Sequence, residues 1–290
     1  MARKRATLSD LLNDLTFRVL YDKYKLISVN QFEWDWNKEV LPTLTEEIVE
    51  GYLFKDGKAI FCEDPNMKYL CLEVQDGSKL NVYGKPLGYR AIGFNYNRYY
   101  RADKCVIIEN NKLRLSTHKF LLFYINKMAE AERTADVNIK ACKTPIIFAC
   151  DDKDVLTFKR IFQQVDGNIP AIFADKGLNL DAIQAFDTKA KFMGNELRDY
   201  IKGVENDLLT FLGQNNPAVD KRERLITDEV NSNNELIESF FQLQLEARER
   251  ACEAINTMFP DVHISVKPRE VMHKVVDNNV EKEGGSNDSV

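Results

Sequence analysis

Four long stretches of the chain carry apolar residues at helical spacing. They span residues 6–30, 116–142, 188–212 and 235–258. An apolar residue at every third or fourth position is typical of an amphipathic α-helix. In the second stretch Phe120, Phe123 and Tyr124 widen the apolar surface to nearly all sides of the N-terminal half. A helix of this kind must be covered on most sides, either by its own chain or by a neighbouring copy.

The second and third stretches are predicted to form two rods of matching length. About 25 residues at about 1.5 Å each give a rod of roughly 38 Å, and Gly213 is placed to end the second rod. The segment between the rods has a strand–helix–strand pattern. Its elements fall at 145–149, 156–165 and 169–174. The sequence therefore predicts a stalk of two equal rods with a small α/β insert at its far end.

Between Phe54 and Val106 the pattern changes to short alternating pieces separated by turn residues. The turns are marked by Asp56-Gly57, Asp76-Gly77 and Gly84-Lys85-Pro86, which are typical of hairpins. Predicted strands fall at 59–62, 69–74, 79–83 and 106–108. This pattern predicts a small antiparallel β region. A short helix at 45–49 ending at Gly51 and a strand at 262–266 complete the predicted elements.

The run Asn231-Ser232-Asn233-Asn234 predicts a soft break between the helix that ends at Gly213 and the one that begins near Glu235. Two helices joined through a polar loop, with no reactive side-chain cluster between them, favour a mechanical role over a chemical one.

The composition is typical of a folded protein, and the chain lacks the net positive charge of a generic nucleic-acid-binding protein. Its 290 residues carry a net charge of -5, a pI of about 5.5 and a mean hydropathy of -0.38. No apolar run approaches the roughly 20 residues that a membrane helix needs, and the N-terminus lacks the apolar core of a secretory signal. The six cysteines show no paired spacing, which predicts reduced thiols. Residues after Asp277 are predicted to be disordered.

The motifs of common enzymes are absent from the sequence. There is no glycine-rich phosphate loop, and the three histidines lie in separate segments without zinc spacing. Asp151, Asp152 and Asp154 follow a predicted buried strand, where nucleases often hold a metal. Their further ligands cannot be placed, so a metal-dependent nuclease stays as an alternative. We expect no enzyme activity, no metal and no cofactor.

Several short motifs resemble the upper collar, or head–tail connector (portal), proteins of small podoviruses of the phi-twenty-nine type. They occur in the same order over nearly the whole chain. They are Met1–Arg5, Phe32-Glu33-Trp34 before Leu41-Pro42, Lys143-Thr144-Pro145, Gly167-Asn168 before Ile172-Phe173-Ala174, Thr210–Gly213, Lys221–Arg224, Thr227–Val230, Ile237-Glu238-Ser239 and Ala251–Asn256. Each is weak alone, and the ordered set is specific.

The resemblance implies a homo-dodecameric ring at one capsid vertex of the virion, assembled in the host cytoplasm. Double-stranded DNA would be packaged, retained and ejected through its axial channel. Implied partners are the major capsid protein, scaffolding protein, lower collar and tail proteins, and a separate packaging ATPase, with packaging RNA as a further alternative. No membrane is implied. Another ring of the head–tail junction, such as a lower collar, is the nearest rival interpretation.

The resemblance also implies a fold class and a domain order. We expect an α+β, portal-type ring subunit with long stem helices, a small α/β clip insert and a β-containing wing. The expected segments are the basic arm and wing 1–115, the first stem helix 116–142, the clip 143–187, the second stem helix 188–214, the channel loop (about 227–241) with the wing return in 215–270, and the acidic tail 271–290.

Candidate site residues follow from the same resemblance. The expected channel residues are Asp187, Lys189, Lys191, Glu196, Lys202, Asn231, Ser232, Asn233, Asn234, Glu235 and Glu238. Asp187 and Glu196 stand where channel lysines are expected, and Lys189 and Lys191 are near but shifted. Arg3, Lys4 and Arg5 match the basic arm that contacts nucleic acid of the packaging motor, with scaffold or capsid contact as an alternative.

Overall fold

The structure is a computed structural model of the whole chain. It describes residues 8–143, 146–149, 156, 184–187, 191–214 and 227–269. The described helices are α1 (Leu8–Val29), α2 (Glu46–Asp56), α3 (Thr117–Lys143), α4 (Gly194–Leu212) and α5 (Thr227–Met258). The described strands are β1 (Phe32–Asp35), β2 (Lys58–Asp64), β3 (Lys68–Asp76), β4 (Gly88–Gly93), β5 (Tyr96–Arg101), β6 (Cys105–Glu109), β7 (Ile146–Ala149), β8 (Gln184–Asp187) and β9 (Ser265–Pro268).

The predicted antiparallel β region is confirmed. Five strands form one sheet in the order β5-β4-β3-β2-β6, with antiparallel pairing throughout. Strand β1 pairs with β9, so that Phe32 lies opposite Pro268 near the two ends of the chain. The predicted strand at 79–83 is wrong. There Asn81 Oδ1 accepts the backbone N–H groups of Tyr83 and Lys85, which holds the segment as a loop.

One hydrophobic core lies between the sheet, α2 and α5. Phe61 of β2 and Phe259, just past α5, have ring centroids 5.7 Å apart, and Phe32 of β1 stacks on Phe241 of α5 at 5.3 Å. Val49 and Leu53 of α2 are fully buried in the same cluster. Burial of this apolar surface is the main force that fixes the C-terminal half of α5 on the sheet.

A second core joins three helices. Tyr24 of α1, Leu121 and Ile125 of α3, and Leu208 and Leu212 of α4 are all buried in one cluster. The apolar spacing that predicted these helices from the sequence is therefore the spacing of their packed faces.

Helix α4 is shorter than predicted. It begins at Gly194, not at residue 188, so it has 19 residues against 27 for α3. The Asn138 side chain accounts for this start: its Nδ2 donates to the carbonyl of Lys191, and its Oδ1 accepts the N–H of Met193. These bonds occupy backbone groups just before the helix. The prediction of two equal rods is therefore wrong.

Two predicted interruptions do not occur. Helix α2 passes through Gly51 and ends only at Asp56; the next residue, Gly57, has a positive φ of 76° that suits a helix C-cap. Helix α5 is continuous from Thr227 to Met258, so the predicted break at 231–234 and the loop at 227–241 are wrong. Asn and Ser each cost only a fraction of a kcal/mol in a helix, and this segment contains no Gly or Pro.

The chain divides into two compact units. One consists of Met1–Ala129 with Ile201–Val290, and the other is Glu130–Tyr200. In the second unit β7 pairs antiparallel with β8, and Ile146 lies opposite Asp187. The sequence predicted β7 but not β8. The predicted helix at 156–165, apart from Leu156, and the strand at 169–174 lie outside the described residues.

Candidate channel-lining and anchoring residues

The N-terminal two thirds of α5 carries negative charge only. From residue 225 to 247 the sequence has no lysine or arginine, and the acids in this run are Asp228, Glu229, Glu235, Glu238 and Glu246. The side chains of Asn234, Glu235 and Glu238 are exposed, whereas Ile237 is buried. One face of this helix segment therefore packs on the protein, and the opposite face presents carboxylates and amides to solvent.

Local hydrogen bonds order the exposed face of α5. Gln242 Nε2 donates to Glu238 Oε1 at 2.6 Å, and Ser239 Oγ donates to the carbonyl of Glu235 at 2.7 Å. Both bonds join residues four positions apart, which are neighbours on one helix face. They leave the carboxylate of Glu235 and one oxygen of Glu238 directed at solvent.

The C-terminal half of α5 is anchored by a buried ion pair. Arg248 and Glu50 of α2 each have side chains only 2% exposed. Arg248 Nε donates to Glu50 Oε1 at 2.8 Å and Nη2 donates to Oε2 at 2.7 Å, so the pair is bidentate. Trp34 Nε1 also donates to Glu50 Oε1, at 2.8 Å. The guanidinium group lies over the Phe32 ring, 4.2 Å from its centroid.

The remaining donors of Arg248 are also satisfied. They go to the carbonyls of Gln244 and Asn110 and to Asn110 Oδ1. Asn110 Nδ2 in turn donates to the carbonyl of Leu115 and to Thr117 Oγ1, both at 2.9 Å. This network connects α5 to α2, to the end of β6 and to the start of α3. Because a buried charge without partners is very costly, the network fixes the position of α5 along its axis.

Sequence reasoning missed both members of this pair. Glu50 follows Val49 and precedes Leu53 on the buried face of α2. Arg248 lies between Leu245 and Cys252 on the buried face of α5. The sequence did offer one signal, a charged residue on the apolar face of each helix. Nothing in the sequence shows that these two residues, 198 positions apart, form a pair.

The polar face of α4 carries charges of both signs. Glu196, Arg198 and Asp199 are exposed, and Lys202 is half-buried. Lys191, just before the helix, lies 3.8 Å from Glu196, an exposed pair that contributes little to stability. With Asp207, which is also exposed, this face mixes both signs of charge, unlike the acidic run of α5.

Glu205 of α4 lies beside α1, and its side chain is 30% exposed. It accepts hydrogen bonds from Tyr24 Oη and from Lys23 Nζ, the latter at 3.0 Å. Burial opposes ionisation of Glu205, but these two donors outweigh it and hold its pKa below the usual range. Burial, together with the hydrogen bond to Glu205, raises the pKa of Tyr24 to about 12. This clamp joins α1 to α4 and is structural.

The candidate residues are distributed over both units. Asp187 is the last residue of β8, and Lys191 and Glu196 belong to the same unit, whereas Lys202 and the six candidates of α5 belong to the other. For Asn231, Ser232 and Asn233 the structure describes the helical backbone. Lys189, the basic residues Arg3, Lys4 and Arg5, and the alternative metal ligands Asp151, Asp152 and Asp154 lie outside the described residues.

Within the described ranges, no group of three or more acidic, histidine or cysteine side chains is arranged to hold a metal ion. Among the helices of the same ranges, none is both long and apolar enough to span a bilayer.

Comparison with known proteins identifies the family of this chain. A sequence model described as Phage Connector (GP10) matches residues 4–273. Similar solved structures include the portal and tail of native bacteriophage P68, at 14% identity and a TM-score of 0.44 with 92% of each chain covered. Another is an HK97 family phage portal protein from Corynebacterium diphtheriae, at 12% identity and a TM-score of 0.45 with 93% of this chain and 97% of that chain covered.

A third similar structure is the virion of a native gene transfer agent particle, at 11% identity and a TM-score of 0.45, with 90% of this chain and 80% of that chain covered. With TM-scores below 0.5, these resemblances add nothing to the family match. The family model covers nearly the whole sequence, including both units of the fold. The chain therefore belongs to the phage connector (GP10) family, whose members are structural proteins that join head to tail in phage particles.

Proposed function

We propose that this protein forms a dodecameric ring at one vertex of the capsid and that double-stranded DNA passes through the ring during packaging, retention and ejection. The observation that carries this proposal is the acid-only run of α5, on a helix of a connector-family chain that is anchored at one end and exposed at the other. The position of that run matches the channel segment implied by the resemblance to upper collar proteins.

The charge of this run suits a passage through which DNA must slide. The duplex carries about one negative charge per 1.7 Å of its axis. A channel lined by lysines and arginines would bind it through many phosphate contacts, whereas carboxylates repel the phosphates and keep the duplex centred. Twelve copies of Glu235 and Glu238 would form two closely spaced acidic rings, since the two residues are three positions apart on one helix.

Positive charge is proposed to enter the channel sparsely, through Lys189, Lys191 and Lys202. Glu196 lies close to Lys191, and Asp187 is next but one to Lys189 in the sequence, so these two cations each have an acidic neighbour. Such pairs weaken the attraction of a lysine for phosphate. Intermittent weak contacts would slow the duplex without holding it.

The domain roles follow the same proposal. Helices α3 and α4 form the stem, the segment 143–187 forms the clip, and the five-stranded sheet with α2 belongs to the wing. Capsid and scaffolding proteins would meet the wing, and lower collar and tail proteins the clip. Arg3, Lys4 and Arg5 would reach nucleic acid of the packaging motor, and the ATPase is a separate protein.

Electron microscopy of the purified protein tests the proposal. We expect closed rings of twelve subunits with a central hole, and in intact particles a ring located at one capsid vertex. A protein that stays monomeric at all concentrations would contradict ring formation. A ring located in the tail, outside the capsid vertex, would favour a lower collar instead.

Channel function has its own test. The variant Glu235→Gln/Glu238→Gln should form normal rings but change the amount of DNA that filled particles retain or the rate of its ejection. The matched control Glu249→Gln removes an exposed acid of the same helix that lies outside the acid-only run, and should leave both quantities unchanged. Unchanged DNA retention and ejection in the double variant would remove these two residues from the channel.

A further inference from the structure

Two cysteines face each other across neighbouring strands of the five-stranded sheet. Cys62 of β2 lies directly opposite Cys105 of β6 in the antiparallel register. Directly opposite residues of an antiparallel pair project from the same face of the sheet. Both side chains belong to one buried cluster, in which Cys62 is 0% and Cys105 4% exposed. The two sulfur atoms are therefore neighbours inside a small apolar cluster.

The hydrogen-bond pattern between β2 and β6 brings this pair close together. Gly57 and Asn110 continue the register of the two strands, and the Asn110 N–H donates to the carbonyl of Gly57 at 2.9 Å. Hydrogen-bonded and non-hydrogen-bonded pairs alternate along an antiparallel ladder, so Cys62 and Cys105, five positions further along, form a non-hydrogen-bonded pair. The Cα atoms of such a pair are about 4.5 Å apart. A disulfide requires a Cα separation of about 4.4–6.8 Å, so the backbone can accept this bond with little movement.

The other buried thiols near the sheet lie on its opposite face. Cys71 of β3 lies opposite Phe61, and both belong to the hydrophobic core between the sheet, α2 and α5. Cys252 of α5 belongs to the same core. Because successive side chains of a strand alternate between faces, Cys71 and Cys252 are on the side of β2 opposite Cys62. Among the described cysteines, Cys105 is therefore the partner that the fold offers to Cys62.

Burial controls the reactivity of both thiols. It raises the pKa of Cys62 to about 11, and burial together with the nearby Cys62 raises the pKa of Cys105 to about 12. A thiol of high pKa is largely protonated at neutral pH, so it reacts slowly. Its sulfur is also a poor leaving group in thiol–disulfide exchange, so a disulfide between these residues would resist thiol reductants. Slow formation and slow reduction are typical of a structural disulfide.

An open cavity of about 700 Å³ lies beside the pair. Its lining includes Glu63, Tyr100 and Lys104. Glu63 follows Cys62 in the chain, and Lys104 precedes Cys105. Tyr100 belongs to the same buried cluster as the two thiols. The cavity therefore gives a small neutral oxidant an approach to the cluster.

We propose that Cys62 and Cys105 are a modification site, which hydrogen peroxide converts into an intramolecular disulfide between β2 and β6. In the first step one sulfur attacks the O–O bond of the peroxide, which forms a sulfenic acid and releases water. In the second step the other thiol attacks that sulfur, which forms the S–S bond and releases a second water. Two electrons pass from the two sulfur atoms to one peroxide. The reaction takes place within one chain, so it goes beyond the proposed function and does not depend on ring formation.

The bond would hold three further strands in place. Between Cys62 and Cys105 the chain forms β3, β4 and β5. A disulfide that closes a loop of this length restricts the unfolded chain and thereby stabilises the fold. A reducing cytoplasm keeps thiols reduced, so the stabilised state belongs to protein that has left it.

Peptide mapping tests the bond. The protein carries Cys142→Ser and Cys150→Ser, so that the cysteines of the second unit cannot pair between copies. It is treated with hydrogen peroxide, the remaining thiols are blocked with a maleimide, and the non-reduced digest is analysed by mass spectrometry. We expect the peptide that contains Cys62 to be joined to the peptide that contains Cys105, in a product that migrates as a single chain on a non-reducing gel.

Alanine variants identify the partners. Cys62→Ala and Cys105→Ala should each abolish the linked peptide, whereas the matched control Cys71→Ala, which is also buried in the sheet, should keep it. The oxidised protein should have a Tm about 5 °C or more above that of the reduced protein. This shift should be absent from Cys105→Ala.

Three results would overturn the pairing: no linked peptide, a link from Cys62 to Cys71 or Cys252, or sulfinic acid at one cysteine without a link. A linked protein whose Tm is not raised would overturn the stabilising role. Each of these results leaves the proposed ring standing. A protein that forms no rings would contradict the proposed function and leave this disulfide standing.

Discussion

The two ends of α5 differ in burial and in charge. At the C-terminal end Arg248, Ala251, Cys252 and Ile255 are buried, and a bidentate ion pair holds the helix to α2. At the N-terminal end, between residues 234 and 239, only Ile237 is buried and the exposed charges are all negative. The buried ion pair lies at one end of the helix, and the other end presents exposed acidic and amide side chains.

This division has a physical basis. A buried ion pair tolerates almost no change, because removing one partner leaves an uncompensated charge in a medium of low dielectric. Exposed carboxylates on a helix face contribute little to folding. Substitutions at the anchored end should therefore change stability strongly, and substitutions at the acidic end should change interaction with DNA.

The largest expected effect comes from breaking the anchor. Arg248→Met should lower the free energy of unfolding by about 3–5 kcal/mol, because Glu50 would stay buried without its main partner. Urea unfolding followed by circular dichroism measures it. The double variant Arg248→Met/Glu50→Leu should recover most of the loss, because it removes both charges. A single variant that is as stable as wild type would show that the ion pair does not anchor α5.

The next effect concerns the corner where α4 meets α5. Gly213 has a φ of 71°, and a Cβ there would lie 2.8 Å from the Cα of Phe241. Its neighbour Gln214 closes the helix end with an N–H bond to the carbonyl of Leu209. Gly213→Ala should therefore cost about 2 kcal/mol of stability through backbone strain and contact with α5.

Gly203 is the matched control for that substitution. It lies inside α4 in a position where an added Cβ would meet open space, so Gly203→Ala should stabilise the protein by up to about 1 kcal/mol. If both variants shift Tm in the same direction, the corner at Gly213 does not restrain α5.

A smaller effect is expected from the Tyr24–Glu205 clamp. Tyr24→Phe removes one hydrogen bond and should cost about 1 kcal/mol at pH 7. Its signature is the pH dependence. Because the folded pKa of Tyr24 is raised to about 12, its contribution is complete below the unfolded pKa of about 10 and is lost as pH rises through about 12. The stability difference between wild type and Tyr24→Phe should therefore shrink between pH 9 and pH 11.5, as measured by urea unfolding. A difference that stays constant over this range would contradict the pKa shift.

The smallest effect on stability is expected at the acidic end. Glu235→Gln/Glu238→Gln should change the free energy of unfolding by less than about 0.5 kcal/mol, since both side chains are exposed. In contrast, the variant ring should bind DNA more tightly at low salt than wild type, which a filter-binding titration would detect. A loss of several kcal/mol of stability would place these residues in the packed core instead of on a free face.

Sequence periodicity predicted the helices and three strands of the five-stranded sheet, β2, β3 and β6, because their packed faces repeat every 3.6 or two residues; it did not predict β4 and β5. Periodicity gave the wrong helix bounds where local side-chain contacts or weak helix formers were involved. Asn138 holds the backbone at Lys191 and Met193 and delays the start of α4. In α5, the weak helix formers at 231–234 were read as a break, although no Gly or Pro interrupts the helix.

The features of the candidate site also divide into those that the sequence could predict and those that it could not. The absence of cations from the N-terminal part of α5 is a property of the sequence and could be read directly. The buried partnership of Glu50 and Arg248 depends on tertiary packing between distant segments, so a single sequence could not supply it. Which of Lys189, Lys191 and Lys202 enter the channel depends on the arrangement of subunits and stays a prediction.

A density map of the assembled protein, at a resolution that shows side chains, tests the central claim most directly. The account predicts a closed ring in which the acidic end of α5, including Glu235 and Glu238, faces the axial hole while Arg248 remains buried against Glu50. A ring whose axial hole is lined by other segments, with the acidic end of α5 on the outer surface, would contradict it.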